Sequence, residues 1–146
     1  MALGRLAAQV VAKDVLPAVQ GEINPSPQAS SLATVAPMLK KEDGQIDWSK
    51  DAASVHNHVR AMTSWPGAYT HAGGKLFKVL ATQRGSDASA AAPGTVVVAD
   101  KKGLEVACGQ GTIRILRGQL EGKKALSAQE LVSGRAVSLG LVLGDK

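Results

Sequence analysis

Three histidines and one cysteine are the side chains of this 146-residue chain that first suggest catalysis or metal binding. His56 and His58 stand two apart in Val55-His56-Asn57-His58, a pairing that invites a metal centre. On a helix, residues two apart do not share a face, so the pair is expected to flank an apolar stripe on opposite sides, partly buried. A shared ion would need ligands from elsewhere, and His71 is the remaining histidine. Cys108 has no base beside it in the sequence and ends an apolar run before Gly109-Gln110-Gly111, so it is expected to be a small buried side chain. A single cysteine excludes an internal disulfide and a cysteine-based zinc site. The Gly-Gln-Gly run is not a dinucleotide fingerprint, because Arg114 holds the third glycine position and a strand follows. Neither a catalytic residue nor a metal site is assigned.

Charge is the next candidate. The net charge is +5, and it is uneven. Residues 101–146 carry eight Lys/Arg against four Asp/Glu, residues 25–100 seven against six, and residues 1–24 two of each. A basic surface in the last third favours a polyanion such as RNA. No apolar stretch approaches the roughly 18 residues of a membrane span.

The elements that must position these groups follow from periodicity and turn chemistry. Residues 2–16 read as a helix with Leu3, Leu6 and Val10 on one face, interrupted or kinked at Pro17. The alternative for this segment is an organelle targeting peptide, since the first acid is Asp14, but it lacks the expected serine and arginine richness. Residues 25–45 read as an extended linker with Pro25, Pro27 and Pro37, closed by Lys40-Lys41-Glu42-Asp43-Gly44. Residues 48–62 give the clearest helix, with Trp48, Ala52, Val55, Val59 and Met62 on one stripe and Asp47 or Ser49 as its cap. Pro66 closes that segment, and Trp65 is expected to pack under the stripe at the Trp65-Pro66-Gly67 corner.

Beyond Gly67 the pattern is strands and turns. Residues 68–71 and 75–81 flank one hairpin turn, residues 95–99 and 104–107 flank a second, and residues 112–116 form a further strand. A short helix over 128–133 opens on a Ser127/Glu130 capping box and stops at Gly134. The fold class is mainly β with one or two helices: a small OB-like barrel preceded by a helix and an extended linker. Only Trp48, Trp65, Tyr69 and Phe77 are aromatic, so the core must be aliphatic.

Several of these runs resemble one family. Ile46-Asp47-Trp48, Arg60-Ala61 and Trp65-Pro66-Gly67-Ala68 stand at the spacing found in the C-terminal domain of methionyl-tRNA formyltransferases. Pro25, Pro27 and Gln28 resemble that family's segment after its last catalytic-domain helix. Ala33-Thr34-Val35-Ala36-Pro37 looks like its linker, with Val35 where tyrosine is usual. Pro93-Gly94-Thr95-Val96, Gly103-Leu104, and Ala107-Cys108-Gly109-Gln110-Gly111 match its barrel. Gln119, Gly122-Lys123-Lys124 and Ser127-Ala128 match its closing segment. The resemblance covers nearly the whole chain, in order.

It implies that residues 1–24 are the last helix of a formyltransferase catalytic domain, 25–45 the linker, and 46–146 an OB-like tRNA-binding domain. The rest of the catalytic domain, which uses 10-formyltetrahydrofolate, is expected upstream. This chain is then a fragment that binds no cofactor itself and does not transfer a formyl group alone. Its implied partners are initiator methionyl-tRNA and that N-terminal domain. It is expected to be a monomer without a membrane, in the bacterial cytoplasm or an organelle matrix. The barrel of another formyl-folate enzyme, a sugar formyltransferase or a formyltetrahydrofolate hydrolase or dehydrogenase, is the alternative, and would bind no RNA.

A folded tRNA presents A-form helices whose deep major groove side chains cannot read. Docking then relies on phosphates and shape, and few aromatics argue against a stacking platform. The residues this assigns to tRNA are Lys101 and Lys102 in the second hairpin turn, Arg114 and Arg117 on and after the next strand, and Lys123 and Lys124. Lys40 and Lys41 in the linker join them, Lys41 at a position commonly basic in the family.

Overall fold

A computed structural model of the protein describes residues 2–24, 26–101 and 103–144. They fall into two compact units, one running to Pro37 and the other starting at Met38. In the first, α1 (Ala2–Val10) passes through a π-helical turn, Val11–Val15, into α2 (Leu16–Val19). Pro17 lies in the first turn of α2, where its missing N–H costs little. The helical run therefore carries past residue 16, where the sequence suggested an end, and the change of register precedes the proline. Leu3, Leu6 and Val10 are all exposed. A 3-10 turn at Ser30–Leu32 interrupts an otherwise extended stretch, and Pro25 lies outside the described residues.

The second unit opens with a 3-10 turn, Lys41–Gly44, and then α3 (Ala52–Met62). The stripe is as expected: Trp48, Ala52, Val55 and Val59 are buried, and Met62 packs against them. The cap is not. Asp51 holds the N-cap position and accepts from the Ser54 N–H at 2.9 Å, so the helix starts four residues after Trp48. Asp47 instead accepts from the Ser49 N–H and hydroxyl, folding the turn that precedes the helix. Trp48 lies in that turn and still reaches the core, donating its indole N–H to the buried Thr70 hydroxyl at 3.0 Å.

Strands β1 (Tyr69–Ala72), β2 (Lys75–Arg84), β3 (Val96–Asp100), β4 (Gly103–Ala107), β5 (Thr112–Leu120) and β6 (Leu126–Ser127) form one antiparallel sheet. Its order is β1-β2-β5-β4-β3, with β6 pairing β5. The long β5 is central: β2 lies along one side, and β4 and then β6 occupy the other. Phe77, Val79, Leu104, Val106, Ile113 and Ile115 fill the interior with Val55 and Val59 of α3. Helix α4 (Ala128–Ser133) adds Leu131, which is fully buried.

The sheet is not closed by strand pairing, because its edge strands β1 and β3 do not meet. The C-terminal segment spans the gap. Leu143 bridges Ala72 at the end of β1, and Val142 bridges Thr95 just before β3. The expected small barrel is thus an open sheet held shut by a strap.

The Gly109-Gln110-Gly111 turn has a structural role. The Gly109 N–H donates to the carbonyls of Trp48 and Lys50, each at 2.9 Å, and a Cβ there would strike the Ser49 carbonyl. Gln110 C=O accepts from the Ala52 N–H. The turn therefore seats the start of α3 on the sheet.

Two local expectations change. Trp65 is 53 % exposed, so it does not pack under the stripe; its bond to Pro66 is cis, and Pro66 instead lies against Gly44. Helix α4 keeps its Ser127/Glu130 capping box, but Gly134 is not its left-handed residue. Arg135 is, with φ 52°, and the Ala136 N–H returns to Leu131 C=O and the Arg135 N–H to Val132 C=O. This is the bond pattern that glycine usually terminates. Arg135→Gly is accordingly expected to stabilise the unit by about 0.5–1 kcal/mol. The check is a higher urea midpoint at unchanged m value.

Candidate nucleic-acid interface

The basic side chains are placed by the strand pattern around β5, β6 and α4. On β5, Ile113 and Ile115 are buried and Arg114 is exposed. Strict alternation would send Arg117 inward. The pairing of β2 with β5 is irregular between Val79 and Thr82, opposite Ile115 to Gly118, and the inward parity changes there. Leu116 and Arg117 both face solvent as a result, and Gly118 takes the inward position. Arg117 therefore lies on the strand rather than after it.

Lys101 and Arg114 line one groove, together with Gly103, Leu116, Ser127 and Gln129. Arg117 faces Ser127 across the β5–β6 pair. Ser127 in turn holds Glu130: its N–H and hydroxyl both donate to one carboxylate oxygen at 2.8 Å. These bonds, first the N–H and then the hydroxyl, keep the Glu130 carboxyl below its usual value, helped by the positive fields of Lys124 and Arg117. So Arg117 and Lys124 are close enough to act on one carboxylate. The exposed Lys123 sits in the turn between β5 and β6, where its C=O accepts from the Gln119 amide at 2.8 Å. The structure thus gathers Lys101, Arg114, Arg117, Lys123 and Lys124 around one stretch of β5 and its neighbours. Lys102 lies outside the described residues.

Arg114 differs from the other four. Its Nε donates to Glu105 Oε1 at 3.0 Å, and its Nη2 donates to the same oxygen. Among the described residues the other ion pair joins Arg84 at the end of β2 to Asp87 on the loop that follows, so Arg117, Lys123 and Lys124 are in no ion pair. Unpaired exposed cations are the form in which a surface is ready to displace counterions from a phosphate backbone.

Lys40 and Lys41 stand elsewhere. They enter the 3-10 turn that packs against α3, and the Lys40 N–H donates to Asp43. Glu42, Asp43 and Asp47 line the recess beside that turn. Among the described residues no hydrogen bond or ion pair joins these two lysines to the β5 face, and three acids stand beside them and Lys50.

Lys78 was missed. It lies directly across from Gln119 on the outer face of β2, while Phe77 and Val79 on either side are buried. The signal was available: in Leu76-Phe77-Lys78-Val79 a lysine between two core residues must point out. Glu105 was also missed, and no local pattern announces its pairing.

The other groups with possible chemistry do not assemble. His56 Nδ1 is 2.9 Å from the Thr82 hydroxyl on β2, which ties α3 to the sheet. His58 is partly buried on the same helix, and His71 lies on β1. Among the described residues no group of three His, Cys, Asp or Glu stands close enough to hold a metal ion. Cys108 is buried, and that burial, with the nearby Asp51 charge, pushes its thiol up to about 11. Little thiolate forms at neutral pH, so it is no nucleophile.

Comparison with known proteins agrees with this architecture. Residues 38–136 match the family described as formyl transferase, C-terminal domain. The chain is 52% identical to a methionyl-tRNA formyltransferase of Sorangium cellulosum, over 97% of this chain and 46% of that protein. It is 43% identical to a methionyl-tRNA formyltransferase of Citrifermentans bemidjiense, over 99% and 45%. The chain thus spans about half the length of the curated relatives it matches. Among solved structures, HypX from Aquifex aeolicus in complex with tetrahydrofolic acid shares the fold, with TM-score 0.61 and 20% identity over 88% of this chain and 23% of that one. Taken together, the fold, the matched residues and the relatives show that this chain belongs to the formyl transferase C-terminal domain family.

Proposed function

We propose that this chain is the tRNA-docking part of a methionyl-tRNA formyltransferase. It would hold initiator methionyl-tRNA while a catalytic domain transfers the formyl group from 10-formyltetrahydrofolate. The reading places it in the bacterial cytoplasm, in keeping with the bacterial relatives. The observation that carries it is the gathering of Lys101, Arg117, Lys123 and Lys124 around β5, none of them in an ion pair among the described residues, with Glu130 the carboxylate that feels the charge of Arg117 and Lys124. Such a face reads backbone phosphates and shape rather than bases. The relatives named for methionyl-tRNA supply the polyanion it fits. Formyl transfer is assigned to a separate catalytic domain because this chain matches the family's C-terminal domain and spans about half the length of its relatives.

A second reading is that the same barrel serves another formyl-folate enzyme and binds no RNA, since the fold is also found in HypX. One titration separates the two. With roughly four to six phosphate contacts, affinity for a bacterial initiator tRNA should fall by about 10²–10³ between 50 and 200 mM salt. Filter binding of the 146-residue chain over that range is the check. No binding at 50 mM salt, or binding indifferent to salt, favours the second reading.

A further inference from the structure

Among the described cations of the basic face, Arg114 stands out because it is built into a network. Glu105 holds it from β4, directly across the pair, through Nε and Nη2. Glu105 is itself fixed. Its other oxygen accepts from the Thr112 hydroxyl at 3.2 Å, and that hydroxyl accepts from the Ser86 N–H at 2.8 Å. Thr112 is 3 % exposed, the Glu105 side chain 13 %, and the Arg114 side chain 44 %. The exposure therefore rises along the chain of bonds, from a buried hydroxyl to a guanidinium at the surface. Gly85 leaves the room this needs, since a Cβ there would collide with the Thr112 hydroxyl.

A guanidinium offers five N–H donors, and Glu105 engages two of them on one edge. The remaining donors make no hydrogen bond to a described residue, and they belong to a side chain that lines the groove with Lys101, Ser127 and Gln129. The groove thus holds a flexible point charge, an oriented fork and two neutral polar side chains. That set matches a single phosphodiester: the fork grips two oxygens and the lysine supplies charge. A carboxylate beside a phosphate site repels the ligand, so its presence needs a compensating gain. Fixing the fork is that gain, because a free arginine loses side-chain entropy when it is captured.

We propose that the groove between the β3–β4 turn, β5 and the start of α4 is a phosphodiester subsite. Arg114 is its binding fork, and Glu105, backed by Thr112, is the positioning residue. The proposal rests on the tRNA-docking reading and sharpens it from a charged face to one oriented contact.

Charge counting and orientation give opposite signs for Glu105→Gln. The substitution raises the net charge by one unit. If attraction alone matters, initiator tRNA binds more tightly. If the fork must be held, binding weakens, by about 3–10-fold at 50 mM salt. Arg114→Lys keeps the charge and loses the fork, so it should weaken binding by a similar factor while leaving the salt slope nearly unchanged. In the double variant the two losses should not add, because they remove the same contact. A thermal melt of each variant confirms that it is folded at the assay temperature.

Wild-type chain that fails to bind the tRNA overturns the docking reading and this subsite with it. Wild-type binding combined with equal or tighter binding by Glu105→Gln overturns the subsite alone. Should Glu105→Gln melt below the assay temperature, Arg114→Lys decides: a loss of affinity smaller than about 3-fold overturns the proposal, and a loss of about 3-fold or greater supports it.

Discussion

A chain cut after Leu139 is expected to lose about 3–5 kcal/mol of stability, although it gives up no helix and no strand of the main sheet. The segment removed is the strap across the open side. Leu143 is 3 % exposed and bridges Ala72, and Leu141 packs partly against the core. The backbone bonds reach both edges: Leu143 N–H to Gly94 C=O and the Val96 N–H to Leu141 C=O on the β3 side, and the Gly144 N–H to His71 C=O on β1. Burying one leucine is worth roughly 2–3 kcal/mol, and each net hydrogen bond adds about 0.5–1.5 kcal/mol, less the cost of ordering the segment. A unit of this size has about 5–15 kcal/mol in hand, so the truncated chain should unfold at a urea concentration lower by about 2 M. It should also self-associate, since two strand edges are freed at once. Leu143→Ala separates burial from pairing: it keeps the backbone bonds and should show about half the loss or more. A truncated chain with the parental urea midpoint would show that the sheet holds its shape without the strap.

The strap illustrates what the sequence does not disclose. Leu141-Val142-Leu143 is too short to show a period, and its partners lie some fifty and seventy residues back. Only the open side between β1 and β3 explains it, and that opening is a property of the whole sheet. By contrast, the two hairpins, the stripe of α3 and the Ser127/Glu130 box were legible, because each depends on residues within a few positions of one another. Where a local rule was ambiguous the wrong choice followed. Asp47, Ser49 and Asp51 can all cap a helix; tertiary pairing of Ala52 with Gln110 selects Asp51.

The candidate site divides along the same line. The residue types that could meet phosphate were readable from charge. Their convergence was not, because it depends on register. Arg117 breaks the alternation set by Ile113 and Ile115, so the strand looked finished at Leu116. The irregular pairing with β2 carries it on, and it is that irregularity which turns Arg117 outward toward Ser127. Trp65 marks the opposite error. An aromatic next to Pro-Gly reads as a packed corner, yet the packing partner there is Pro66 against Gly44, and the indole is left outside.

The largest functional effect should come from Arg117→Ala, Lys123→Ala and Lys124→Ala together. The three cations are exposed, unpaired among the described residues and close to Ser127 and Gln119. Removing a cation that meets one phosphate should lower the salt slope by about one unit. The triple variant should therefore bind initiator tRNA about 10²-fold more weakly at 50 mM salt, with the slope reduced by roughly two to three units. Stability should barely move, because exposed charges of this kind contribute little to folding. A parallel Lys40→Ala/Lys41→Ala variant removes two positive charges from a different place. If only net charge mattered, its affinity would drop by about two thirds as much on a logarithmic scale. The acids around that turn, Glu42, Asp43 and Asp47, stand beside those lysines, and among the described residues no ion pair joins the lysines to the β5 face. Its drop in affinity should stay within about fivefold. A loss in the double variant about two thirds that of the triple, or greater, would mean that RNA responds to the overall charge of the chain, and that the face assembled by β5, β6 and α4 has no privileged place in docking.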